Sequence, residues 1–258
     1  MRWRVGTSGF SYDGWAGSFY PPALPGARRL AFYASQLPAV EINNTFYRMP
    51  KPAVLAGWAA QVPASFRFAL KAPRRITHAK GFAFEPDAIA HLFGVADALG
   101  GRLGPVLFQL PPWLRKDVAR LRELLAAVPP GRRAALEFRH RSWLDDEVHA
   151  LLRERDTALC AADFDEAEKR VPVVATASFG YLRLRAADYG DDALRAWIAE
   201  IAAPPWQDVY VFFKHEEAGA APRLAARLLE LAGAAEPSRE IQRVAPRQRE
   251  ADSGGGAV

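Results

Sequence analysis

A chain of 258 residues, half of them hydrophobic, can bury a sizeable core as one large domain or two small ones. Its 34 Lys and Arg against 29 Asp and Glu leave a formal charge of +5, which excludes a dedicated polycation. That balance suits anionic small molecules or modest nucleic-acid affinity, although ordinary surface charge carried mostly by Arg gives the same sum.

The N-terminal MRWRVGTSGF enters strand-like sequence directly, without an apolar signal core, and no stretch approaches the length of a membrane span. The expectation is a cytoplasmic protein with no membrane partner. Strand-like runs follow at 3–8, 39–46, 66–72, 104–111, 133–139, 157–164, 180–186 and 208–215. Helical patterns fill the gaps at 27–37, 52–60, 86–99, 116–127, 143–155, 191–202 and 220–232. In DVARLRELLAAV, Val118, Leu121, Leu124, Leu125 and Val128 follow the spacing of one helix face. SWLDDEVHALLRE repeats that pattern, with Ser142 expected as N-cap and acids in the first turn.

Strand and helix in alternation imply parallel strands joined by crossovers, and eight such units predict an α/β fold of the (β/α)8 TIM-barrel type. The sixth connection, 166–179, lacks an amphipathic helix and is expected to be irregular. An open doubly wound sheet is the rival, but no G-x-G-x-x-G follows the first strand. The barrel domain is assigned to 1–232. The Ala-, Pro-, Gly- and charge-rich stretch 233–258 reads as a flexible tail. Cys160, the single cysteine, sits in the apolar run TALCAADF and reads as core, and it excludes an internal disulfide and a Cys-cluster zinc site.

Almost every strand ends in polar residues, where a barrel carries its functional side chains. In VEINNTF, Glu41, Asn43 and Thr45 share one face; a carboxylate and an amide pointing into a barrel are costly unless paired or doing chemistry. Lys71, Gln109, Glu137 with Arg139, Asp163, Arg183 with Arg185, and Lys214 with His215 and Glu216 stand at the other strand ends. The opposite parity is apolar, as in Phe66, Phe68 and Leu70, or Leu182 and Leu184. The polar side is therefore expected to line the barrel mouth. Glu137 with Arg139 or Arg183 fits an internal ion-pair clamp, but a fully buried network of this many charges is expensive, which favours a ligand pocket.

Five cations, Lys71, Arg139, Arg183, Arg185 and Lys214, outnumber the carboxylates Glu41, Glu137 and Asp163, and Arg suits bidentate phosphate or carboxylate recognition. The candidate catalytic residues are Glu41, Lys71, Glu137 and Asp163. The candidate binding residues are Asn43, Tyr47, His78, Gln109, Arg139, His140, Arg183, Arg185, Lys214 and His215. A carboxylate beside Arg serves as base and one in an apolar pocket as acid; Lys71 is an electrophile, a base or a Schiff-base amine. No cofactor is predicted. A divalent metal on His78, His140 or His215 with the carboxylates stays open, without an H-E-x-x-H spacing to support it. Tyr12, Trp15 and Tyr47 are candidate stacking contacts, while most mouth aromatics are expected to pack.

The stretches GTSGFSYDGWAGSFYP, YASQLPAVEINNTFYRMP, FRFALKAPRRITHAK, LGPVLFQLPP and LEFRHRSW, in this order, resemble the YecE-like family, domain of unknown function 72. The likeness covers roughly residues 5–232. It implies a TIM-type barrel, no established activity, and recurring motif positions at Glu41, Asn43, Thr45, Tyr47, Lys71, Gln109, Glu137, Arg139, His140, Trp143 and Asp163. This chain reads RLRA and FKHE where the family pattern looks like R-L-H-G and F-N-N-D, so its rim is more charged.

Four functional readings follow. The first is an enzyme (hydrolase, lyase or isomerase) acting by general acid/base chemistry on a small anionic substrate, a phosphorylated sugar or a nucleotide. The second is a barrel that binds or processes nucleic acid, with 73–80 as a basic loop. The third is a glycoside hydrolase, for which five cations are unusual. The last is binding alone. The sequence leaves the oligomeric state open.

Overall fold

The computed structural model describes residues 1–164, 169–186, 189–214 and 219–233. Eight parallel strands close into a barrel in chain order: β1 Arg2–Ser8, β2 Ala39–Ile42, β3 Arg67–Lys71, β4 Leu103–Gln109, β5 Ala134–Glu137, β6 Ala158–Ala162, β7 Phe179–Leu184 and β8 Asp208–Phe213. β8 returns to pair with β1 from Arg2↔Asp208 to Thr7↔Phe213, which rules out the open sheet.

The helices are α1 Arg29–Gln36, α2 Pro52–Ala60, the single turn α3 Arg74–Thr77, α4 Pro86–Ala96, α5 Val118–Ala127, α6 Asp146–Glu154, α7 Asp191–Ala202 and α8 Ala220–Leu231. Local chemistry sets their starts. Pro52 and Pro86 stand at the first helical positions, where a missing N–H costs nothing. Asp117 caps α5 by accepting from the Arg120 N–H at 3.0 Å.

Two expected boundaries move. α6 is capped by Asp145, which accepts from the Val148 N–H at 3.0 Å; Ser142 lies in a preceding 3-10 turn and accepts from the Lys116 N–H instead. The strand expected over 39–46 stops at Ile42. There the Thr45 hydroxyl donates to the carbonyls of Ile42 and Lys71, and Asn44–Phe46 coil into a 3-10 turn. Thr45 is thus buried in the turn and leaves the polar face. The sixth connection has no α-helix among its described residues; Val171 instead forms an antiparallel bridge with Ala162.

Parity sorts the side chains as the alternation of a strand requires. Outward-facing Phe68, Leu70, Leu182, Leu184, Leu136 and Phe138 meet the helices in two apolar clusters. The barrel interior is a separate cluster in which Ala39, Ala69, Ala135, Ala158 and Cys160 accommodate Phe179, Tyr181, Tyr210 and Phe212. Small residues on β2, β3, β5 and β6 thus make room for aromatics from β7 and β8. Gly6 belongs to the same economy of space: a Cβ there would stand 1.9 Å from the Ala39 carbonyl oxygen. Above this plug lies a polar layer at the strand C-termini.

Candidate functional site

The polar layer is a single ion-pair network centred on Arg183. Its Nη2 donates to Glu41 Oε1 at 2.8 Å and its Nη1 donates to Glu137 Oε2 at 2.7 Å, joining carboxylates from β2 and β5 through β7. All three are buried, at 0% exposure for Glu41, 1% for Glu137 and 2% for Arg183.

The register assembles the remaining partners. Ser8 lies beside Glu41, and its hydroxyl donates to Oε1 at 2.7 Å. Tyr181, two residues before Arg183 on the same face, donates to Glu41 Oε2 at 2.6 Å. Asn43 bridges Glu41 and Arg183 at 3.3 and 3.4 Å. Gln109 lies beside Glu137 and donates to Oε2 at 2.8 Å. Arg185 reaches both Glu137 oxygens at 2.8 Å, and Arg139 reaches Oε1 at 3.2 Å.

Both carboxylates stay ionised. Burial alone would raise Glu41, but Arg183 and the hydroxyls of Tyr181 and Ser8 outweigh it and hold its pKa below the usual range. Burial acts on Glu137 in the same sense, and Arg185, Arg183 and Arg139 hold it well below. The donors are not used up in return. Arg183 Nε and both Arg185 Nε and Nη1 are buried without a hydrogen-bond partner among the described residues.

Asp163, just past β6, accepts the Arg185 N–H at 2.7 Å and the Tyr189 hydroxyl, fixing the backbone that carries Arg185. Lys71 ends β3 and places its ammonium 4.2 Å from the centroid of the Phe46 ring. The ammonium has no ion pair or hydrogen bond among the described residues. Burial and the Arg183 charge bring its pKa down to about 8, with Glu137 and Glu41 offsetting only part of the shift.

His78 packs edge-on against Phe46 and against Trp113, with centroids at 5.0 and 5.8 Å. Burial, then the Lys71 charge, depresses its pKa and favours the neutral ring. Tyr47 and Trp113 stand 81% and 71% exposed on either side of this group.

On the β5 side, Arg139 and His140 line a cavity of about 420 Å³ together with Phe138, Phe164, Lys169 and Arg170. Arg185 connects this cavity to the network, its guanidinium lying 5.0 Å from the Phe164 ring centroid. Lys214 is exposed just past β8; its backbone N–H donates to the Leu184 carbonyl at 3.0 Å, and its side chain makes no ion pair with the ring among the described residues. His215 and Glu216 lie outside the described residues.

Of the aromatic candidates, Trp15 is buried packing, and the Tyr12 hydroxyl donates to the Ser8 carbonyl at 2.6 Å. Burial raises the Cys160 thiol well above its ordinary pKa, which suits a core residue. Sequence reasoning missed Tyr181 and placed Phe46 only among the mouth aromatics expected to pack. Tyr181 shares the inward parity of Arg183 in GYLRLR and was within reach of the pattern. Phe46 depends on the 3-10 turn, for which VEINNTF gave no signal.

Among the described residues no group of three His, Cys, Asp or Glu gathers as a metal site, and none of the described helices is long and apolar enough to cross a membrane. The ring carboxylates already serve guanidinium partners.

UPF0759 protein YunF of Bacillus subtilis (strain 168) is 30% identical over 138 residues, covering 49% of this chain and 48% of YunF. UPF0759 protein YecE of Escherichia coli (strain K12) is 30% identical over 116 residues, 45% of this chain and 43% of YecE. The chain thus spans just under half the length of these curated relatives. A solved DUF72 family protein from Thermotoga maritima MSB8 superimposes with a TM-score of 0.78 at 22% identity, covering 89% of this chain and 98% of that one. D-psicose 3-epimerase follows with a TM-score of 0.50 at 10% identity, over 91% and 96% of the two chains. At these identities the structures speak for the fold alone. The model described as "Protein of unknown function DUF72" matches residues 4–250, and the chain belongs to that family.

Proposed function

We propose that the barrel mouth is the active site of an enzyme acting on a small anionic substrate, a phosphorylated sugar or nucleotide by class. One observation carries this reading. Among the described residues, Arg183 and Arg185 keep buried N–H groups without partners, although the oxygens of both carboxylates between them are taken. Unsatisfied donors in a buried site are costly, and an oxyanion is the guest that satisfies guanidinium.

The charge count agrees. Arg183, Arg185, Arg139 and Lys71 face Glu41, Glu137 and Asp163, so the described ring carries a surplus of positive charge. In this reading Glu41 and Glu137 hold the arginines in place and do not exchange protons near neutrality. Lys71, with its pKa near 8, is the ring group suited to proton transfer or carbonyl attack. Arg139, His140 and the adjoining cavity receive the rest of the substrate. A cytoplasmic setting accords with phosphorylated metabolites as substrates.

The test is a thermal-shift panel of sugar phosphates, nucleotides and short oligonucleotides on the wild type and on Arg185→Gln. A ligand at a hundred times its Kd contributes about 2.7 kcal/mol. A shift with one small phosphorylated class, lost in Arg185→Gln, supports the reading. Stabilisation by oligonucleotides only, fading steeply with salt, replaces it with a nucleic-acid site built on the exposed aromatics and the basic loop after β3.

A further inference from the structure

We infer that the opposite, N-terminal end of the barrel carries a second anion site, built for a phosphate or diphosphate group. The two ends lie about 20 Å apart, the span of a seven-residue strand. At the N-terminal end a cavity of about 280 Å³ is lined by Arg2 and Arg4 of β1, Arg67 of β3, Arg132 and Arg133 before β5, and Asp208 of β8.

The ion pairs leave cations over. Arg2 and Arg133 donate to Asp208 Oδ2 at 2.9 Å, and Arg4 Nε stands 3.5 Å from Oδ1. Arg132 pairs with Asp97 at 2.5 Å. Arg67 has no carboxylate partner among the described residues; its Nη1 donates to the carbonyls of Ala64 and Phe66 at 2.8 and 2.9 Å. Five guanidiniums therefore meet two carboxylates. Arg4 Nε is buried without a hydrogen bond among the described residues, while its Nη1 donates to the Ser65 carbonyl at 2.8 Å.

Asp208 works here as an anchor: it gathers guanidiniums that would otherwise repel one another at the wall of the cavity. Burial, and next the charge of Arg4, lowers the pKa of Arg67, so an anion placed between them relieves both. The cavity reaches solvent at Arg2, whose side chain is 64% exposed, whereas that of Arg4 is 11% exposed. Gly101 and Gly131 in its wall put no side chain in the way: a Cβ on either would meet nothing within 4 Å. Paired arginines at a cavity of this size match the bidentate geometry of a phosphoryl group. This site stands apart from the mouth and does not depend on the function proposed there.

The experiment is calorimetric titration of the full chain at constant chloride with inorganic phosphate, diphosphate and a sugar monophosphate. It is run on the wild type, Arg67→Gln, Arg133→Gln and the mouth variant Arg185→Gln. The expected result is diphosphate binding that persists in Arg185→Gln and weakens at least tenfold in Arg67→Gln and Arg133→Gln, with unchanged circular dichroism. Binding of the sugar monophosphate with the same dependence would identify the group as the handle of a larger molecule. Binding of the free ions alone would identify free phosphate. Diphosphate binding that vanishes in Arg185→Gln but survives in both lower-end variants overturns the second site and leaves the mouth assignment intact. No diphosphate binding to the wild type overturns it as well.

Discussion

The ammonium of Lys71 rests 4.2 Å from the centre of the Phe46 ring while facing the charge of Arg183. Because its folded pKa, about 8, lies below that of the unfolded chain, the unfolded state binds more protons between about pH 8 and pH 10.5. The burial cost of the charge is fully present below pH 8 and disappears as pH rises through that window. Lys71→Met is therefore expected to melt higher than wild type at pH 7, with the gain gone by pH 10.5. Each kcal/mol gained appears as about 2–4 °C. A lower melting point for Lys71→Met at pH 7 would contradict this account. Phosphate-monoester affinity of the wild type should fall as pH rises through 8, and the inflection should be missing in the variant.

Glu137 receives donors from Arg139, Arg183, Arg185 and Gln109. Removing one partner of a buried pair costs about 3–5 kcal/mol, and Glu137→Gln should lose stability on that scale in urea denaturation at pH 7. Its folded pKa is depressed, so its contribution is complete above the ordinary carboxylate range and is lost as pH falls below 4.5. The variant should accordingly show a flatter acid limb. An equally steep acid limb in Glu137→Gln would move the acid sensitivity elsewhere.

Gly6→Ala sets a methyl group against backbone, since the clashing atom is the Ala39 carbonyl oxygen at 1.9 Å. Overpacking costs about 1–3 kcal/mol where side chains can yield, and more where they cannot. The urea midpoint should drop by at least the upper part of that range. A neutral substitution would show that β1 and β2 part without cost.

Trp113 offers a ring face beside His78 and is 71% exposed. Trp113→Ala should leave the melting point of the free protein nearly unchanged. If the substrate is a nucleotide, the variant should lose affinity by about 1–3 kcal/mol, the worth of stacking on one base. Titrations with a nucleotide and a sugar phosphate side by side separate the two classes, because the sugar phosphate should be indifferent to the change.

Much of this architecture was legible in the chain. The alternation Glu41–Asn43, Glu137–Arg139 and Arg183–Arg185 against apolar neighbours fixes which side chains face inward, since strand parity leaves no third direction. The same parity could not tell a ligand pocket from an internal clamp, and Glu41, Glu137 and Arg183 prove to be clamped together in the interior. Which carboxylate meets which cation depends on the stagger of eight strands, a property of closure and not of any local stretch. The end of β2 was illegible for a different reason. Thr45 leaves the strand because its hydroxyl finds the Lys71 carbonyl, 26 positions away, and no window around VEINNTF contains that acceptor.

The bridge through Arg183 has a mechanical side. One planar group joins a carboxylate from β2 to a carboxylate from β5, strands that are not neighbours. Strand number and stagger set the width of the barrel, and the bridge fills its mouth as a strut between two side chains. A guest must fit an aperture that the strands cannot widen without breaking charged hydrogen bonds. Adaptation to a differently sized ligand then falls to the loops around the rim, whose side chains can change without altering the gauge beneath them.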